Sequence, residues 1–280
     1  MSIGPVDELG RRVAVAEAMA ERYAATDGVA AVLLAGSVAR GLADARSDVE
    51  VDVYWRRAPS DAERRAVVDD AGWEWVYAEV DQHEWADGVR LGGVKVDVSQ
   101  FETATIDAYL DALRGGDTEP ELQVRATALL DGRALAGEKR VEAWRARLAP
   151  YPEPLALAML DQALPPRPVE RLEMLVARDD PVLLTRDVVD GVHAVLDALF
   201  AVNRRYVPHP FHKWLTFECG QLELAPKDLE GRIRQLLATP REGVPDLVRL
   251  TEETLDLVEA HVPDYDLAAA RAGFGSSLRG

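Results

Sequence analysis

Residues 31–55 read AVLLAGSVARGLADARSDVEVDVYW, and one strand within them carries three carboxylates on a single face. From Asp48 to Trp55, the acids Asp48, Glu50 and Asp52 alternate with Val49, Val51 and Val53. Successive side chains of a strand point to opposite sides of the sheet, so this alternation gathers the acids on one face and the valines on the other. Like charges so placed repel one another. Stability gives no reason for the arrangement; a divalent metal ion does. Upstream, the apolar run Ala31 to Ala35 has the length of one buried strand. Gly36-Ser37 ends it and opens a short helical segment, Val38 to Ala43.

The surrounding pattern fixes the fold class. Residues 6–26 form an amphipathic helix, with Leu9, Val13, Ala16, Ala20 and Tyr23 on one stripe. A short helix follows within Arg56 to Gly72, after the start signal Pro59-Ser60-Asp61. Trp73 to Ala78 reads as a strand, Asp87-Gly88 and Gly92-Gly93 as turns, and Val94 to Val98 as a further strand. His83-Glu84-Trp85 reads as an exposed loop, with an approach to the site between strands as the alternative, and the tail from Gly273 reads as mobile. Beyond about Thr103 the strand signals stop, and helical periodicity runs to near Ala260. The expectation is an α+β fold: an N-terminal mixed sheet with flanking helices, residues 1–110, then an all-α helical domain, residues 111–280.

Bulk properties narrow the function. A formal net charge of −17 argues against general nucleic-acid binding, which needs basic surface. An acidic cleft would favour a cationic partner by electrostatic steering; the alternative is that the acidity serves only solubility. No apolar run has the length of a membrane helix, the N-terminus lacks the layout of a signal peptide, and Cys219 is the only cysteine. A cytoplasmic protein without disulfides is the expectation. The sequence leaves open whether it is a monomer or a homodimer.

The chemistry concentrates at Gly36-Ser37, a ten-residue spacer, and Asp48-Val49-Glu50. The glycine allows close backbone approach at a turn, and the free N–H groups at a helix start attract an anion. Two carboxylates projecting together hold Mg²⁺, which is usually bound along with substrate phosphates. An anion cradle beside a metal pair is equipment for transferring a phosphorus group.

This constellation resembles the polymerase-β-type nucleotidyltransferase superfamily, whose small members carry Gly-Ser, a spacer, Asp-x-Asp/Glu and a third acid on a later strand. The variant Ser47 to Glu50, SDVE, looks closest to the aminoglycoside nucleotidyltransferase branch, a group of antibiotic-resistance enzymes. The resemblance covers residues 31–99; the helical half is similar in style only. It implies that Gly36 and Ser37 bind triphosphate, that Asp48 and Glu50 bind Mg²⁺, and that Asp97 of VKVDVSQ is the third acid, catalytic or metal-binding. Lys95, two residues from Asp97 on the same face, is an alternative ion-pair partner for it. Asp52 is open between a salt bridge, a substrate contact and a shifted metal pair with Glu50.

Three further residues are candidate nucleotide contacts. Arg40 is placed to reach phosphate or to lie at the surface. Asn203 falls on the apolar stripe of the helix Val188 to Tyr206, so it caps that helix or faces a cleft. Lys213 precedes Trp214, which either pairs a charge for phosphate with a ring for a base or is ordinary packing and surface. His209-x-x-His212 has metal-pair spacing without a third ligand nearby and reads as a loop. The expected reaction is Mg²⁺-dependent transfer of AMP, or another nucleoside monophosphate, from ATP to a hydroxyl of a small cationic acceptor such as an aminoglycoside. The acceptor is expected to bind between the domains. The alternatives are a protein acceptor, as in AMP-transferring antitoxin-type enzymes, and a nucleotide-binding domain without chemistry.

Overall fold

The computed structural model describes residues 8–81 and 84–275. Val6 and Asp7 of the expected first helix, His83, and the last five residues of the tail lie outside them. The chain forms two compact units: residues 1–112 with 125–150, and residues 113–124 with 151–280.

The first unit is built on a six-stranded mixed sheet. Its strands are β1 (Val29–Ala35), β2 (Val49–Trp55), β3 (Glu74–Val80), β4 (Trp85–Leu91), β5 (Val94–Glu102) and β6 (Arg133–Ala136). They lie in the order β3-β4-β5-β2-β1-β6, with β2 and β5 parallel and every other pair antiparallel. The valines of β2 and β5 face helix α1 (Glu8–Ala25), whose Ala16, Met19, Ala20 and Tyr23 bury the other half of that core. On the opposite face, Tyr54 packs on Phe101 and Trp144, at 6.3 and 4.8 Å between ring centroids. The sheet is therefore covered on both faces beyond the first turn of β2, which is why β2 reads as almost wholly buried.

Between these strands lie the single turn α2 (Gly36–Ala39) and helix α3 (Asp61–Asp69). Ser60 and Glu63 start α3 with a reciprocal capping box. Helices α4 (Thr103–Arg114), α5 (Pro120–Asp131) and α6 (Glu138–Leu148) follow β5.

Several expectations are corrected in this unit. Asp87-Gly88 is no turn but the middle of β4, where Gly88 lies against the Tyr77 ring and leaves no room for a Cβ. Glu84 belongs to no exposed loop; it is an ion-pair partner of Arg125. The sequence also gave no strand after Thr103, yet β6 pairs antiparallel with the edge of β1. Residues 125–150 fold with the sheet for that reason, although the sequence reading placed them in the helical part.

The second unit is helical. It contains α7 (Glu153–Ala163), α8 (Val169–Arg178), α9 (Pro181–Val202), α10 (Leu215–Gly220), α11 (Leu229–Ala238), α12 (Pro240–His261) and α13 (Ala268–Phe274). At its centre is α9, 22 residues long and capped by the Asp180 side chain on the Leu183 N–H. It buries Val188, Val192, Val195, Leu196 and Leu199, the stripe read from the sequence. Among the described residues no helix is long and apolar enough to cross a membrane. The architecture is the expected α+β class, a mixed sheet with flanking helices followed by helices.

Candidate functional site

Gly36 turns the chain out of β1 with φ of +63°, a region where a Cβ is strained. The space above its Cα is filled by the Glu50 carboxylate, which a Cβ would strike. The dihedral favours glycine outright, and any Cβ here would also displace the Glu50 carboxylate. Ser37 is buried, and α2 has no side-chain cap at its start. The first N–H groups of a helix have no partner within it. The turn therefore presents backbone donors at the rim of the carboxylate face.

Asp48 precedes β2 at the end of a pinned loop. Buried Arg12 of α1 donates from Nε to the Ser47 carbonyl at 2.7 Å and from Nη2 to the Ala45 carbonyl at 3.0 Å. Ser47 is tied to Asp44 as well, its hydroxyl donating to the carboxylate at 3.1 Å. The register then sets Glu50 beside Asp97 on the parallel neighbour β5.

Asp48 and Asp97 lie close enough to hydrogen-bond each other. Burial, the hydrogen bond to Asp97 and the Asp97 charge together raise Asp48 above the ordinary carboxylate range. Burial also pushes Asp97 upward, but hydrogen bonds from Lys95, Tyr77 and Asp48 outweigh it, and Asp97 sits below that range. The two carboxylates are thus pushed apart, Asp48 toward the weaker acid and Asp97 toward the stronger. Lys95 Nζ lies 2.7 Å from Asp97 and 3.8 Å from Asp48. Tyr77 Oη donates to Asp97 at 2.8 Å. Asp97 thus has the ion pair with Lys95 that the sequence allowed, in addition to its place beside Asp48.

Asp52 behaves differently from its two neighbours. It is buried, accepts a hydrogen bond from Tyr54 Oη at 3.1 Å and pairs with Arg125 at 3.5 Å. Arg125 also reaches Glu84 at 3.0 Å and stacks on Phe101, 4.5 Å from the ring centroid. Of the readings open for Asp52, the structure displays the salt bridge.

Arg40 Nε donates to Asp131 at 2.9 Å. In the helical unit, Asn203 donates from Nδ2 to the Leu199 and Leu224 carbonyls, at 2.8 and 2.9 Å, and accepts from the Leu224 N–H at 2.8 Å. Both its donors are engaged in closing the end of α9. Lys213 is exposed, with Nζ 5.9 Å from the centre of the Trp214 ring.

Sequence reasoning missed Arg12, Tyr77 and Arg125. Arg12 carried a signal, since it falls three residues after Leu9 on the buried stripe of α1. Tyr77 and Arg125 carried none, because strand pairing and a distant helix bring them in.

The donor chemistry suits Mg²⁺: carboxylate oxygens, without nitrogen or sulfur. Two of the acids are already close enough to share a proton, a contact that a cation would relieve. Among the described residues no group of three or more His, Cys, Asp or Glu side chains is assembled to hold a metal ion. Mg²⁺ characteristically uses one or two carboxylates and completes its shell with substrate phosphates and water, so a two-carboxylate start fits it.

Comparisons with known proteins add little detail. Residues 123–215 match a family described as Domain of unknown function (DUF4037). No curated protein matches the chain. Among solved structures, the chain is similar to a nucleotidyltransferase-like protein from Exiguobacterium sibiricum. The identity is 13%, the match covers 86% of this chain and 77% of that one, and the TM-score is 0.31.

Proposed function

We propose that this chain is a nucleotidyltransferase that moves a nucleoside monophosphate, AMP first among them, from its triphosphate to a hydroxyl of a small cationic acceptor such as an aminoglycoside. One observation carries the reading: the glycine turn at Gly36-Ser37 is packed against Glu50, which lies in register with Asp97 on the face that also bears Asp48.

Asp48, Glu50 and Asp97 would hold Mg²⁺, which when bound neutralises triphosphate charge and stabilises charge developing on the transferred phosphorus. The backbone N–H groups at Gly36, Ser37 and Val38 would bind phosphate oxygens, with Gly36 keeping the backbone close to Glu50. Asp97 is the more acidic partner of the carboxylate pair, so it is the ionised group able to accept the acceptor's hydroxyl proton. Tyr77 and Lys95 hold its carboxylate in place for that step. The net charge of −17 supports a cationic acceptor.

The test is incubation with ATP, Mg²⁺ and a panel of aminoglycosides. Pyrophosphate release with at least one member is expected, together with its loss in Asp48→Asn. Silence across the panel, with label from ATP entering protein bands in a lysate, would move the assignment to a protein acceptor. If Asp48→Asn left Mg²⁺ and nucleotide binding unchanged, the metal-site reading would fail.

A further inference from the structure

The helical unit contains a cavity of about 140 Å³ that the reading above does not use. Its floor is apolar, with Met159 and Val207 both buried. Its polar wall is Thr118, Gln123, Gln162 and Asp197, and no basic residue lines it. Two of these groups are fixed in place. Gln123 accepts from the Val207 N–H at 3.1 Å and donates to the Thr118 carbonyl at 3.5 Å. The Asp197 carboxylate pairs with Nε2 of His212 at 3.3 Å.

His212 is itself clamped. Its Nδ1 lies 2.9 Å from a carboxylate oxygen of Glu218, a residue with no exposed surface, and its ring packs 5.2 Å from that of His193. A chain of three titratable groups therefore runs from the interior, Glu218, through His212, to the cavity wall at Asp197. The cavity therefore faces a carboxylate held in place by its His212 partner, with the half-exposed Asp197 side chain available to a ligand. A binding wall ordered beforehand loses little entropy when a ligand arrives.

We propose that this cavity binds a small organic ammonium ion, with the Asp197 carboxylate as its counter-charge. The volume is about that of an engineered protein cavity that holds benzene, roughly 150 Å³. It therefore suits one ammonium group on a single ring. Met159 and Val207 contact the ring, and Asp197 takes the ammonium, with Thr118 and Gln162 among the other polar groups lining the cavity. The proposal stands apart from the phosphorus-transfer reading, because its residues and its readout are separate; either can fail alone.

The experiment uses the full chain and three probes of matched shape: cyclohexylammonium, cyclohexanol and cyclohexanecarboxylate, titrated by calorimetry and ligand-observed NMR. The ammonium is expected to bind at least about tenfold more tightly than the alcohol, the factor that one charge-assisted hydrogen bond supplies, and the carboxylate not at all. Asp197→Asn should reduce that preference to near unity. Because this variant also touches His212, Thr118→Val and Gln162→Leu serve as independent checks, each expected to weaken the ammonium about threefold with an unchanged melting temperature. Equal affinity for the alcohol, an undiminished preference in Asp197→Asn, or no binding of any probe would overturn the proposal.

Discussion

At the scale of single residues, Gly36 makes the sharpest demand. Gly36→Ala has to place a methyl group where the Glu50 carboxylate sits, at a φ of +63°. The expected outcome is a loss of about 1–3 kcal/mol in urea denaturation and a weakened affinity for nucleotide, because Glu50 must swing away. A Gly36→Ala protein with wild-type stability and nucleotide affinity would show that the contact is unimportant. Tyr77 makes a subtler demand: it touches no proposed substrate group but orients Asp97. Tyr77→Phe should lower kcat about tenfold and leave KM for ATP unchanged, the signature of a lost hydrogen bond to a charged acceptor that positions a group. A raised KM with kcat intact would place Tyr77 in nucleotide binding instead. The acids on β2 and β5 were legible because period two states their face outright. Tyr77 was not, since its hydrogen bond depends on β3 and β5 lying on either side of β4. Nothing in the spacing of the chain encodes that.

At the scale of elements, the misreadings share a cause: a local signal was overruled by partners far away in sequence. Asp87-Gly88 has turn composition, yet Asp87 is fully buried in β4, held by Arg64 Nη1 at 2.6 Å and by the Gln100 amide. Gln100 in turn accepts from the Trp55 indole at 3.0 Å. A buried carboxylate is tolerable only with such partners, and none of them is near in sequence. β6 spans four residues, Arg133–Ala136, too short for alternation to register, and exists because β1 offers it an edge. Long apolar periodicities such as those of α1 and α9 were legible, since 3.6-residue spacing over many turns leaves little choice. Asn203 connects this scale to a prediction. Its amide closes α9 onto Leu224 with three hydrogen bonds. Asn203→Ala should therefore destabilise the protein by about 2–3 kcal/mol, as loss of a cap with buried backbone groups does. Nucleotide affinity, measured in the same preparation, is expected to stay within about twofold, a small fraction of a kcal/mol. A large loss of affinity at unchanged stability would instead restore Asn203 as a nucleotide contact.

At the scale of the molecule, each unit buries charged side chains, and in the helical unit one such cluster has a pH signature. Burial lowers the affinity of His212 for a proton, but hydrogen bonds to Asp197 and Glu218 and their charges more than compensate, raising it from 6.5 to about 9. A folded-state value above the unfolded one means that the bound proton stabilises the fold. Its contribution is fully present below about pH 6.5 and is lost as the pH rises through about 9. The size of the displacement corresponds to about 2–4 kcal/mol. The neighbouring His193 is shifted the other way, first by burial and then by the His212 charge, so it titrates below this window. The Cys219 thiol is pushed up to about 11 by burial and the nearby Glu230 and Glu218 charges, so in the folded state it stays protonated throughout the window. Urea denaturation at intervals from pH 6.5 to 9 should therefore show stability falling steadily. A His212→Asn, Glu218→Gln double variant removes the imidazolium and the carboxylate together, avoids leaving either charge buried alone, and should flatten that slope. Parallel slopes in the wild-type and doubly substituted chains would mean that His212 carries no extra proton across this range, and that the cluster adds no pH-dependent stability there.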